Sequence, residues 1–159
     1  MSLIVEDGSA VPDAESLASV AFADAYHASR GNVSWANLSE EVKEQLLRKA
    51  TDYVVAKYAG NWASSPVYVS QALPFPAVAY GATVPVLVQQ AVAELALIAR
   101  TTPLMPTVTR GKKKVKVGPL EVEYDGNSPT AADFAAASLR LATFLSTNAS
   151  GVFSKLVRT

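Results

Sequence analysis

Residues 109–126, TRGKKKVKVGPLEVEYDG, contain the densest cluster of charge in the chain, with five cations in seven positions. These cations are Arg110, Lys112, Lys113, Lys114 and Lys116. Cations at this density can neutralise several phosphates of a nucleic acid, which gives binding that is sensitive to salt and indifferent to base sequence. The segment is therefore a candidate contact for DNA.

The same segment also has the pattern of β-strands, because its apolar and charged positions alternate with a period of two residues. Gly118-Pro119 predicts a turn between the two halves, so residues 109–126 are predicted to form a two-stranded ribbon. Cross-strand pairing would place Glu121 and Glu123 beside lysines and neutralise part of the positive charge. Proteins that bind single strands usually add aromatic side chains for base stacking, and here only Tyr124 is near. A solvated hairpin face, or contact with an acidic surface of a neighbouring protein, is therefore favoured over direct binding of DNA.

The chain is poor in residues that catalyse reactions. It has no cysteine, which excludes thiolate catalysis and cysteine-based zinc sites. His27 is the single histidine, so a catalytic triad or a multi-histidine metal site lacks its parts, and a structural or surface role is predicted for it. Glu40, Glu41 and Glu44 lie where a helix begins, a place where the helix dipole favours acids. With no glycine-rich phosphate motif either, the sequence predicts no enzymatic activity, no metal and no cofactor.

The composition is that of one globular domain covering residues 1–159, with 50% hydrophobic residues, 18% charged residues and a net charge of zero. The stretch from Tyr58 to Ala93 is uncharged, but prolines interrupt it, so no membrane helix is expected. The N-terminus turns acidic by Glu6 and lacks the basic start of a signal peptide. We therefore expect neither a membrane partner nor export.

Hydrophobic periodicity predicts a small set of helices around the ribbon. They cover residues 20–31, 40–60, 84–100 and 130–146. Residues 1–18 are predicted to form an extended arm, a loop is predicted around Trp35, and residues 147–159 are predicted to be a tail that stays flexible until bound. The predicted fold class is mainly α: a small bundle of about four helices with a projecting two-stranded β-hairpin.

Residues 60–83 form an uncharged connection of 24 residues. Its aromatic residues are Trp62, Tyr68, Phe75 and Tyr80. Connections this long and apolar are uncommon, and they usually pack over the core or meet a partner. We predict both roles, with the four aromatic side chains as a contact for a neighbouring subunit.

Several segments, in their order along the chain, resemble the head-tail connector, or adaptor, proteins of tailed bacteriophages. The segments are PDAESLASVAFADAYHASRGN, LLRKATDYVVAKY, QALPFP, VPVLVQQAVAELAL and KKVKVGPLEVEYD, followed by an alanine-rich helix. The resemblance covers roughly residues 4–146 and rests on helix patterns. Similar sequences are also grouped under the label of DnaT-like single-strand DNA-binding proteins.

The resemblance to connectors implies a structural protein of the virion, located at the head-tail junction and assembled in the host cytoplasm. Such proteins form a ring of about twelve copies beneath the portal protein, a closed head-to-tail assembly. The ring extends the DNA channel, docks the next neck, stopper or tail protein, and lets the genome pass without sequence-specific binding. The portal contact would fall on Val152, Phe153, Lys155, Leu156, Val157 and Arg158.

The connector is therefore the function that the sequence analysis predicts, and a replication protein that binds single-stranded DNA is the alternative. In a connector, the five cations of the ribbon would contact neighbouring subunits, the next neck protein or the DNA in the channel. The second label implies instead a replication protein that binds single-stranded DNA. The two differ in a measurable way, because phosphate contacts make the logarithm of the affinity fall linearly with the logarithm of the salt concentration.

Overall fold

The computed structural model describes residues 2–105, 114–117, 120–123 and 134–146. This part of the chain is mainly helical, as predicted, and contains five α-helices. They are α1 (Val20–Ala28), α2 (Val33–Ala36), α3 (Glu40–Lys57), α4 (Val86–Ala99) and α5 (Ala135–Leu141). Two 3-10 turns, Val78–Tyr80 and Ala142–Phe144, and two strands, β1 (Lys114–Val117) and β2 (Leu120–Glu123), complete the described elements.

Side-chain caps fix where the first and third helices begin. The hydroxyl of Ser19 accepts a hydrogen bond from the backbone N–H of Phe22 at 3.1 Å, and that of Ser39 accepts one from Val42 at 3.4 Å. Each hydroxyl satisfies a donor that the first turn leaves unpaired. Helix α1 ends at Ala28, and Gly31, which the sequence predicts to terminate it, adopts a left-handed conformation with φ of 69°.

Helix α4 is the centre of the bundle, as its apolar sequence predicts. The five residues Val88, Ala91, Val92, Leu95 and Ala96 are all fully buried. The helix packs against α1, α3 and α5. Its many alanines let these neighbours approach closely, so the helices share one core.

The prediction of a loop around Trp35 is wrong. Residues Val33–Ala36 form the short helix α2, and the Trp35 side chain is 1% exposed. Its indole N–H donates to the Asp24 carboxylate at 2.7 Å, and the same carboxylate oxygen lies 2.9 Å from the Lys43 ammonium. Burial of this indole gives the short helix the tertiary support that its own length cannot provide.

The N-terminal residues are not helical, and they lie against helix α3. Leu17 and Ala18 are fully buried in the core. The buried Glu6 carboxylate accepts hydrogen bonds from the backbone N–H groups of Gly8, Ala10 and Val11 at 2.8 to 3.0 Å. These bonds organise a tight turn, so the described part of the predicted arm is an ordered component of the domain.

The end of α5 is attached to the start of the connection 60–83. The backbone N–H of Ala63 donates to the carbonyl of Phe144 at 2.9 Å, and that of Ser146 donates to the carbonyl of Asn61 at 2.8 Å. Within the described residues, α5 is shorter than the predicted helix 130–146, because the chain tightens into a 3-10 turn after Leu141. Among the described helices, none is long and apolar enough to span a bilayer.

Candidate functional site

The two strands of the basic segment pair in antiparallel register. Lys114 lies opposite Glu123, and Lys116 lies opposite Glu121. Opposite charges at directly facing positions stabilise a ribbon and reduce the charge that it presents to a ligand. Two of the five cations therefore face acids, whereas the other three precede the paired positions; these three are Arg110, Lys112 and Lys113.

The remainder of the predicted ribbon, residues 109–113, 118–119 and 124–126, lies outside the described residues, as does the tail 147–159. That the ribbon projects from the bundle stays a prediction. So does the portal contact of residues 152–158. The last described residue, Ser146, donates its backbone N–H to the carbonyl of Asn61 in the connection.

The structure separates the four aromatic residues of the connection into two groups. Phe75 is 1% exposed, with its ring centroid 5.2 Å from that of Trp62 and 5.8 Å from that of Phe144. The ring of Tyr80 lies 5.1 Å from that of Phe144. Phe75 is thus a core residue and cannot contact a neighbouring subunit, and Trp62 and Tyr80 are partly buried beside it. Tyr68, at 60% exposure, is the aromatic residue of this set that presents its ring to solvent.

The exposed tip of the connection is held in place by one glutamine. The Gln71 amide oxygen accepts from the backbone N–H of Tyr68 at 3.0 Å, and its amide nitrogen donates to the carbonyls of Leu73 and Pro76 at 2.7 and 3.0 Å. The tip carries Val69, which is fully exposed. An aliphatic and aromatic tip with fixed backbone geometry suits contact with another macromolecule.

A cluster of charged and aromatic side chains joins three helices. The Tyr26 hydroxyl donates to the Glu94 carboxylate at 2.5 Å, and Arg140 lies 3.0 Å from that hydroxyl and 3.3 Å from the carboxylate. Burial, and next the hydrogen bond to Glu94, raise the pKa of Tyr26, so its hydroxyl stays protonated. The cluster links α1, α4 and α5 and has a structural role.

His27 is a core residue, in agreement with the structural role predicted for it. It is 1% exposed, with Nε2 3.0 Å from the carbonyl of Ala93 and Nδ1 3.0 Å from the amide nitrogen of Asn32. A carbonyl can only accept, so Nε2 carries the proton and Nδ1 accepts from Asn32. Burial lowers the pKa of His27, which keeps the ring neutral.

This arrangement predicts that His27 weakens the fold in acid. Its pKa in the folded state lies below the value near 6.5 of an unfolded chain, so the unfolded state binds the proton first. The stabilisation is complete above about pH 6.5 and is lost as the pH falls towards the folded-state pKa, by at most about 1.4 kcal/mol per pH unit. Urea unfolding at pH 5 and pH 7.5 should show a larger loss for the wild type than for His27→Gln. Equal losses would contradict the assignment of a neutral, buried ring.

The described residues offer little for metal or acid-base chemistry. They contain no group of three histidine, aspartate or glutamate side chains that could hold a metal ion. Across the same residues, every buried polar side-chain atom has a hydrogen-bond partner. Two candidates for binding another molecule are the cations of residues 110–116 and the exposed tip of the connection.

Comparison with known proteins gives one informative result. A family model described as "Putative DnaT-like ssDNA binding protein" matches residues 1–159. No curated protein and no solved structure matches the chain significantly.

Proposed function

Because the chain belongs to this DnaT-like family, we propose that it is a non-enzymatic protein that binds single-stranded DNA. The observation that carries the proposal is the distribution of the cations. Arg110, Lys112 and Lys113 precede the positions at which lysines and glutamates face one another. They are the part of the ribbon whose charge is not offset by the described cross-strand register.

The proposed mechanism is electrostatic. Cations that contact phosphates release counterions from the strand, which drives binding without any contact to base edges. Each contact on a single strand contributes about 0.7 to the slope of log affinity against log salt. The protein would therefore bind strands of different sequence with similar affinity, and it would bind them more weakly as the salt concentration rises.

A second candidate function is the ring-forming connector at the head-tail junction of a virion. The observation that favours it is the exposed, uncharged tip of the connection, where Tyr68 and Val69 are held by Gln71. Such a tip suits a neighbouring copy, and repeated head-to-tail contacts close a ring. In this hypothesis the tail docks on a portal protein, the next neck or tail protein binds the ring, and genome DNA passes through it.

A native mass spectrum of the purified protein, with and without a single strand of about 30 nucleotides, separates the two candidates. Monomers or small oligomers that take up the strand support the proposed DNA-binding function. A closed ring of about twelve copies that ignores the strand would contradict it and favour the connector. The control for non-specific uptake is an unrelated protein whose negative charge is similar to that of the strand. This control protein should take up no strand.

A further inference from the structure

A cleft of about 440 Å³ lies where helix α3 passes the end of α4. Helix α3 contributes Lys49 and Asp52. The chain that leaves α4 contributes the rest of the lining, which is Ala99, Arg100, Thr101, Thr102, Pro103, Leu104 and Met105. A volume of this size falls within the range of about 300 to 1,000 Å³ that is usual for ligand sites.

The chemistry of this cleft suits a ligand with an apolar face and negative charge. Ala99, Pro103 and Leu104 form apolar walls, and Met105 is 57% exposed beside them. A methionine sulfur makes favourable contacts with aromatic rings and adapts its shape to them. Lys49 and Arg100 are exposed at the cleft, and no described carboxylate forms an ion pair with either of them.

One carboxylate opposes this positive charge. Asp52 lies in the same lining, and partial burial, followed by repulsion from Glu15, raises its pKa. The cleft therefore carries two cations and one acid, a net positive charge at neutral pH. A negatively charged ligand gains from the cations and is opposed by Asp52, so removing that carboxylate should favour an anion.

The position of the cleft along the chain connects it with the basic segment. Met105, its last lining residue, precedes Arg110 by five residues. Five residues span at most about 18 Å when fully extended. The chain between Met105 and Arg110 is therefore short, which favours one bound strand of DNA contacting both the cleft and the basic segment.

We infer that the cleft receives a nucleobase of a bound single strand, while Lys49 and Arg100 contact the adjacent phosphates. This inference rests on the single-stranded DNA binding proposed above. The apolar walls and Met105 contact the face of the base, which every base offers, so the site does not select a sequence. These two cations add to Arg110, Lys112 and Lys113 and lengthen the path of the bound strand over the protein.

The test uses the whole chain and a fluorescent oligothymidine of about 15 nucleotides, which lies within the usual range of about 4 to 16 nucleotides bound per small domain. The double variant Lys49→Ala, Arg100→Ala should make the salt slope less steep by about 1.4 and weaken binding about 25-fold at 0.1 M salt. Arg30→Ala removes an exposed arginine that does not line the cleft, and the salt slope of this variant should match that of the wild type.

Asp52→Asn should tighten binding about threefold, a gain that misfolding cannot produce.

A second experiment distinguishes a contact with the base from contacts with the phosphates alone. An abasic oligonucleotide of the same length keeps the phosphates and removes the bases. Met105→Ala should weaken binding of oligothymidine about threefold and leave binding of the abasic strand unchanged. Equal losses on both strands would overturn the base contact.

The remaining outcomes distinguish this inference from the function on which it rests. A salt concentration of about 50 mM favours phosphate contacts. If the wild type binds no strand under this condition, both the cleft inference and the proposed DNA-binding function are overturned. If Arg110→Ala, Lys112→Ala and Lys113→Ala together weaken binding but the double variant behaves like Arg30→Ala, only the cleft is overturned. Unchanged urea midpoints of the variants show that each has folded.

Discussion

Replacing Phe75 with alanine is expected to lower the free energy of unfolding by about 3 to 5 kcal/mol. The side chain is 1% exposed, and its ring packs edge to face against Trp62 and Phe144. Its removal would leave a cavity that these aromatic neighbours can fill only in part, so both the transfer energy and the packing contacts are lost. Urea denaturation followed by circular dichroism measures the change.

The matched control is Tyr68→Ala in the same connection. Tyr68 is 60% exposed, so the free energy of unfolding should change by no more than about 0.5 kcal/mol. If Phe75→Ala fails to fold, Phe75→Leu keeps most of the apolar volume and should cost about 1 kcal/mol. Similar values for Phe75→Ala and Tyr68→Ala would contradict the assignment of Phe75 to the core of the single chain.

Replacing Arg110, Lys112 and Lys113 together with alanine is expected to weaken binding of single-stranded DNA about 100-fold at 0.1 M salt. The three cations precede the paired strands, so the described register does not set an acid opposite them, and the proposed function assigns them to phosphates. Loss of three contacts should also make the salt slope less steep by about 2. Fluorescence anisotropy with labelled oligothymidine, repeated at several salt concentrations, gives both quantities.

A charge-neutral variant of the ribbon provides the control. It carries Lys114→Gln, Lys116→Gln, Glu121→Gln and Glu123→Gln, and so removes the two cross-strand pairs of opposite charge without altering the net charge. Its affinity and its salt slope should stay close to those of the wild type. A loss as large as that of the triple variant would show that the paired lysines contact the strand and that the register does not offset them.

The helices could be predicted from the sequence where apolar residues recur along one helix face. In α3, Val42, Leu46, Ala50 and Tyr53 follow the spacing of an apolar stripe, and Ser39 supplies the cap. Helix α4 is apolar nearly all round, which predicts a central position, and the structure places it there. These patterns are local, so the sequence alone carries them.

Features that depend on distant parts of the chain were not predictable. Trp35 is buried where its indole donates to Asp24, and Asp24 also pairs with Lys43. No periodicity in the sequence predicts these contacts. The hydrogen bond between Tyr26 and Arg140 joins residues 114 positions apart. The cleft at Lys49 and Arg100 likewise forms only when α3 and the end of α4 meet. In each case the contact arises from tertiary packing, which local sequence patterns do not show.

The functional features divide in the same way. The basic segment and its alternation are visible in the sequence, and the described strands pair Lys114 with Glu123 and Lys116 with Glu121. The aromatic connection also stands out, but the sequence gives its four aromatic residues one role, whereas the structure buries Phe75 and exposes Tyr68. Burial depends on which rings meet Phe144, a residue distant along the chain, and composition cannot show this.

The central claim is that the protein binds single-stranded DNA through phosphate contacts, and the most direct test is a salt titration of the wild type with oligothymidine. Five contacts are proposed, at Arg110, Lys112, Lys113, Lys49 and Arg100. The logarithm of the affinity should therefore fall linearly with the logarithm of the salt concentration, with a slope of about −3.5. No binding at about 50 mM salt, or an affinity that does not change with salt, would contradict the claim.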